Sequence, residues 1–169
     1  MMITQKEEER LHLLSDTQLY DQAVEFMRGI ARKLPSTQIN GLLNVSLGEN
    51  SYDELKHFVD AQYKRSTWKP SERHVPEFYR RLTQKFKELE QYASTILIDR
   101  VEQASREDQE AMKMAIAREF IQHLLAENDY MIGTQAFQAA DGNGKPGNDQ
   151  PRSRDAQRGP WPTQGGKRQ

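Results

Sequence analysis

The chain contains no cysteine, which excludes disulfides and thiolate metal sites. Long apolar runs are missing too: nothing approaches the roughly 18 consecutive apolar residues that a membrane span needs. The opening Met-Met-Ile gives way at once to the charged run Lys6 to Arg10. No signal peptide is therefore expected, and the cytoplasm is the expected compartment. There is also no Gly-rich phosphate loop, no nucleophile elbow and no His-Glu-x-x-His pair, the patterns that announce nucleotide, acyl-transfer or zinc chemistry. No enzyme, cofactor or metal is expected on that footing.

Two pairs do carry the Glu-x-x-His spacing of di-iron helix bundles: Glu9 with His12, and Glu54 with His57. Helical phase argues against both. At about 100° per residue, His57 falls roughly 160–200° from Leu55 and Val59, so it points to solvent. Glu9 and His12 likewise lie off the side of Leu11 and Leu14. His74 and His123 are expected to be surface or satisfied histidines.

What the chain does have is helix signals. The expected fold is all-α, a compact bundle of about five to six helices over residues 1–140. With 36% hydrophobic and 29% charged residues among 169, the core is lean and the surface heavily charged. Thr4-Gln5-Lys6-Glu7 reads as a capping box opening a short helix that ends near Leu14. From Thr17 to Leu34 apolar residues recur at three- and four-residue steps, and Pro35 is expected to stop that helix. Ser36 is expected to cap the next, which ends at Gly48. Ser51-Tyr52-Asp53-Glu54 is a second capping box. A loop over 66–75 holds Trp68 and Pro70, and Pro76 suits the first turn of a long helix running through Phe78, Leu82, Phe86 and Leu89 to Val101. Ser105 caps a last long helix, with one more short helix over Tyr130 to Ala140. No segment shows sustained period-two alternation, so strands are not expected.

From Asp141 the composition changes. Residues 141–169 hold 6 glycines and 4 prolines and no Leu, Ile, Val or Phe. Such a segment cannot offset its ordering entropy by burial, and a disordered basic tail is expected. It is expected to be a solvated tail; the competing reading is a weak nucleic-acid or partner contact through Arg152, Arg154, Arg158, Lys167 and Arg168.

The net charge of −1 conceals a segregation. Residues 1–62 carry a net −4, and residues 88–133 a net −6. Between them, Tyr63 to Lys87 holds eight cations (Lys64, Arg65, Lys69, Arg73, Arg80, Arg81, Lys85, Lys87) against two acids, a net +6. Helix C-terminal dipoles account for two or three of these cations, not eight. On the helix after Pro76, Arg80 and Lys87 lie opposite the apolar side, and Arg81 and Lys85 flank one edge. A broad solvent-facing surface for phosphates is expected, since phosphate contact needs clustered Lys and Arg and no fixed motif.

Three segments carry a family resemblance. Leu34-Pro-Ser-Thr-Gln-Ile-Asn-Gly-Leu-Leu43 is similar to a Ser/Thr-x-Gln-Ile-Arg helix opening, with Asn40 standing where that family usually has Arg. Phe58-Val-Asp-Ala-Gln-Tyr-Lys-Arg65, with Trp68 just beyond, resembles a helix ending in an aromatic residue followed by a basic one. Ala117 to Leu125, followed by Tyr130 and Gly133, resembles a closing segment, here without an aromatic-His pair. Together they resemble the small subunit of type III CRISPR effector complexes (the Csm-type small subunit). The resemblance implies a non-catalytic helical bundle that associates with copies of itself and with other effector subunits along a filament, lining the groove for the guide RNA–target RNA duplex. Gln38 and Asn40 would then make polar contacts at a helix start, and Lys64 and Arg65 phosphate contacts.

Two other classes compete. One is a free-standing helical adaptor or regulator that binds an acidic protein partner. The other is a helix-turn-helix regulator, but its recognition helix, Thr37 to Leu47, contains no Lys or Arg.

Overall fold

Thr4 opens the first helix as its capping box predicts. Its Oγ1 accepts from the Glu7 amide, and Glu7 Oε2 accepts from the Thr4 amide at 2.8 Å. The computed structural model describes residues 3–30, 32–48, 51–65 and 67–141, with 132–141 as backbone only. The tail expected to be disordered lies, apart from Asp141, outside the described residues. So do the cations Arg152, Arg154, Arg158, Lys167 and Arg168.

Helices α1 (Gln5–Leu14) and α2 (Tyr20–Arg28) are not separate, as the sequence suggested. A π-helical turn, Ser15–Leu19, joins them into one rod. The reason lies in the apolar spacing. Leu11 and Leu14 are followed by Leu19, a five-residue step that an α-helix would rotate off the core and a π turn keeps on it. Leu11, Leu14, Leu19, Ala23, Phe26 and Met27 are all buried.

The rod ends at Arg28, not at Leu34. Gly29 and Ile30 close it with i−3 bonds to the carbonyls of Phe26 and Met27, and glycine is a poor residue to continue a helix. Ile30 and Leu34 remain buried as anchors of the connection rather than as helical residues. The Leu34 amide donates to Asn128 Oδ1 at 2.8 Å.

Helix α3 (Ser36–Leu47) is not capped by Ser36, which is its first helical residue. Pro35 holds the cap position with extended ψ, and its carbonyl accepts from Gln38 and Ile39. At the other end Arg118 donates to the carbonyls of Ser46 and Gly48, satisfying groups a helix terminus leaves bare.

Helix α4 (Tyr52–Lys64) starts at the second capping box, Ser51 with Glu54. After a 3-10 turn at Pro70–Glu72, α5 (His74–Ile96) buries Val75, Phe78, Tyr79, Leu82, Phe86, Leu89, Ala93 and Ile96. Val101 was expected on this helix. It lies beyond the helix end and a second 3-10 turn (Ile98–Arg100), and is 39% exposed. Ser105 and Asp108 exchange backbone-to-side-chain bonds at the start of α6 (Arg106–Asp141). The short helix expected over Tyr130–Ala140 is the continuation of α6. A lone Gly133 weakens a helix without ending it.

Counting the α1–α2 rod once, the described residues form five helices and no strand. Helix α5 packs on α4 and α6, and α6 also on α2 and α3. One apolar cluster runs from Leu11 to Leu125. No helix among the described residues is long and apolar enough to cross a membrane.

Candidate nucleic-acid interface

The cationic stretch begins at the C-terminus of α4 and crosses to the first half of α5. Between the two helices Trp68 Nε1 donates to the Gln62 carbonyl at 2.9 Å. The Arg65 guanidinium stands 5.4 Å from the Trp68 ring centroid, and Arg65 Nε donates to Thr67 Oγ1 at 2.8 Å. Lys69 N–H and Glu72 Oε2 fix the 3-10 turn at 3.1 Å. The connection is thus shaped by its own side chains. It holds Lys64, Arg65, Lys69 and Arg73 exposed at one end of the α4–α5 hairpin.

The eight cations are not equivalent. Lys64 is paired with Asp60 at 2.7 Å, Arg80 with Glu77 at 2.6 Å, and Lys85 with Glu88 at 2.6 Å. The hydrogen bonds raise the Lys64 and Arg80 pKa values and lower that of Glu77. The Lys64 and Arg80 pairs are solvent-exposed and hold weakly, so a phosphate can take the place of the carboxylate there. Arg65, Lys69, Arg73 and Lys87 form no salt bridge among the described residues, and Arg81 adds to the field that lowers the Glu77 pKa.

Nor do the cations form one broad surface. Lys87 lines a cavity of about 750 Å³ between α4 and α5 with Lys56, His57 and Thr83 and with the carboxylates Asp53, Asp60 and Glu90. Arg81 and Lys85 line a different cavity, between α2 and α5, of about 300 Å³. The two groups lie on opposite flanks of α5. Arg81 and Lys85 are half-buried, and Arg81 sits over the Phe26 ring with its guanidinium carbon 4.8 Å from the centroid. Expecting all four α5 cations on a shared solvent face was therefore wrong for Arg81 and Lys85. A helix edge next to a neighbouring helix is a groove wall rather than open surface.

Gln38 and Asn40 also part company. Gln38 is half-buried and its Oε1 accepts from the Tyr79 hydroxyl at 3.2 Å; burial pushes that hydroxyl's pKa up. Asn40, two positions on, is exposed on another side of α3, because residues two apart on a helix do not face each other.

The Glu-x-x-His pairs behave as their phase predicts. His12 and His57 are exposed, and Glu54 is engaged in the α4 cap. Among the described residues no group of three or more His, Asp or Glu is placed to hold a metal ion.

Several polar contacts were invisible in the sequence. Glu7, read only as an N-terminal helix acid, is 3% exposed and salt-bridged to Arg100. Ser15, buried at the π turn, donates to Glu119 Oε2 at 2.9 Å and lies 2.8 Å from His123 Nε2. In that trio the carboxylate contacts the serine and not the imidazole, the reverse of a nucleophile–base–orienter chain. It fastens the rod to α6, with Tyr20 edge-on to His123 at 5.6 Å. The i,i+4 spacing of Glu119 and His123 was the available signal, but their partner is far away in the chain.

No protein-family model, no curated protein and no solved structure matches this chain.

Proposed function

We propose that this chain is a non-catalytic RNA-binding structural subunit of a type III CRISPR effector ribonucleoprotein, lying along the backbone of the guide RNA–target RNA duplex. The observation that carries the reading is the set of cations between Lys64 and Lys87. They are gathered on one hairpin of a chain whose flanking segments are acidic, and Arg65, Lys69, Arg73 and Lys87 form no salt bridge among the described residues. Phosphates attract unspent cations of this kind without any sequence motif.

Arg65, Lys69 and Arg73 are the principal backbone contacts, with Lys64 joining when Asp60 yields. Lys87 extends the track along α5, and Arg80 joins it when Glu77 yields. Arg81 and Lys85 are set apart by the cavity they line, and Gln38 by its bond to Tyr79. Asn40 is exposed and available for a polar contact. The identity of the RNA comes from the resemblance of the 34–43 and 58–65 segments to the small-subunit family, and with it the partners: other effector subunits and further copies of this chain. One copy offers few contacts, so affinity grows when neighbouring copies extend the groove.

Tagged protein purified from its native host tests the reading, with co-purifying RNA and proteins identified. Guide RNA together with other effector subunits is the expected outcome. A preparation free of RNA and bound to an acidic protein would replace this reading with that of an adaptor.

A further inference from the structure

We propose that the cavity between α2 and α5 is a pocket for a single unstacked nucleobase, with the Arg81 guanidinium as its stacking surface. The inference rests on the RNA reading above and adds a base subsite to it. At about 300 Å³ the cavity stands at the small end of ligand pockets, which run from about 300 to 1,000 Å³. That size suits one planar ring system.

The stacking surface is fixed in advance. Arg81 lies over Phe26, whose ring is itself held edge-on by Phe78 and Phe120 at 5.5 and 6.0 Å. The Nη edge of the guanidinium abuts Gly29, where a Cβ would stand 2.9 Å from Cζ and closer still to Nη1. Arg81 thus lies over Phe26 with its Nη edge on Gly29, and the same side chain lines the cavity. Guanidinium planes are a recurrent stacking partner for splayed-out RNA bases.

Charge separates a base from a phosphate here. Arg81 and Lys85 are matched by Glu25 and Glu88 around the same cavity, so its lining carries no formal charge excess to favour an anion. Lys85 is committed to Glu88 Oε2 and, at 3.3 Å, to Gln22 Oε1, while Gln22 Nε2 donates to the Tyr92 hydroxyl. Glu25 and Gln84 have no such commitments among the described residues and remain to read the edge of a base. A carboxylate accepts from an exocyclic amine, so bases bearing one are preferred over uracil.

The test compares full-length protein binding to a labelled cytidine RNA of about ten nucleotides, within the usual single-strand site size, and to an abasic strand of equal length and charge. Wild type is expected to bind the cytidine strand about tenfold more tightly, in line with the stacking of one base, with a uridine strand in between. Arg81→Lys keeps the charge and removes the plane. Gly29→Ala keeps Arg81 and displaces its guanidinium, at a backbone φ of −82° that alanine accepts. Both variants are expected to bring the ratio to about 1 with urea midpoints near wild type. Gly29→Ala is further expected to leave abasic-strand affinity unchanged. Equal wild-type affinity for the two strands, or a ratio untouched in both variants, overturns the pocket and leaves backbone binding standing. No binding of either strand at low salt overturns both.

Discussion

Arg100, in the turn after α5, donates Nε to Glu7 Oε1 at 2.7 Å and its terminal nitrogen to Glu7 Oε2 at 3.2 Å, clasping the first turn of α1 in a two-point salt bridge. Arg100 also reaches Asp108 at 3.3 Å, in the first turn of α6. One guanidinium therefore ties three elements together. The Arg100 hydrogen bond, reinforced by those from Thr4, holds the Glu7 carboxyl well below its usual range, at about 2, against the opposing effect of burial.

A depressed carboxylate pKa makes stability depend on pH with a definite sign. The contribution of Glu7 is present above the unfolded value of 4.5 and is lost as pH falls from there toward about 2. Glu7→Gln keeps a capping side chain and removes the charge. Urea unfolding at pH 7 is expected to show a lower midpoint for the variant, with the gap closing below pH 4.5. A gap that stays constant down to the acid limit would mean the pair contributes nothing as ions.

Phe86, 1% exposed at the middle of α5, touches Tyr52 with ring centroids 6.0 Å apart. Phe86→Ala is expected to cost about 3–5 kcal/mol in urea unfolding. A loss below about 1 kcal/mol would contradict burial at this position.

The expected absence of catalysis is tested on rigorously purified protein, with nucleotide triphosphates and RNA and with or without divalent metals. No turnover is expected. Activity that disappears in His57→Ala would install the exposed Glu54–His57 pair as a metal site and overturn the non-catalytic reading.

Local signals are legible at most helix starts and along one apolar face, though not at Ser36, which is a first helical residue and not a cap. The caps at Thr4, Ser51 and Ser105, and the apolar positions of α5 from Phe78 to Ile96, follow from residues within a turn or two of one another. The structure departs from that pattern mostly where a distant partner decides, and once, at Pro35, where one residue serves two local roles. The rod keeps going at Leu14 because a π turn serves the core, and it stops at Gly29, against which a guanidinium from α5 rests. Pro35 begins a helix, where its restriction on Leu34 had suggested only an ending. In the candidate interface the charge segregation was visible at once, but the division of α5 cations between two flanks was not. Helical phase gives a direction for Arg81 and Lys85; only the neighbouring α2, with Phe26, Gln22 and Gly29, turns that direction into a cavity.

The central claim is that cations between Lys64 and Lys87 meet RNA phosphates, and the salt dependence of binding tests it most directly. Fluorescence anisotropy with labelled single- and double-stranded RNA is measured across a salt series. Each phosphate neutralised contributes about 0.7–0.9 to the slope of log affinity against log salt, so four engaged cations give a slope of about −3. Arg73 and Lys87 are exposed and have no carboxylate partner among the described residues. Replacing both by Ala is expected to flatten the slope by about 1.5 while leaving the urea midpoint unchanged. A wild-type slope near zero, or a double variant whose slope equals that of wild type, would contradict the account.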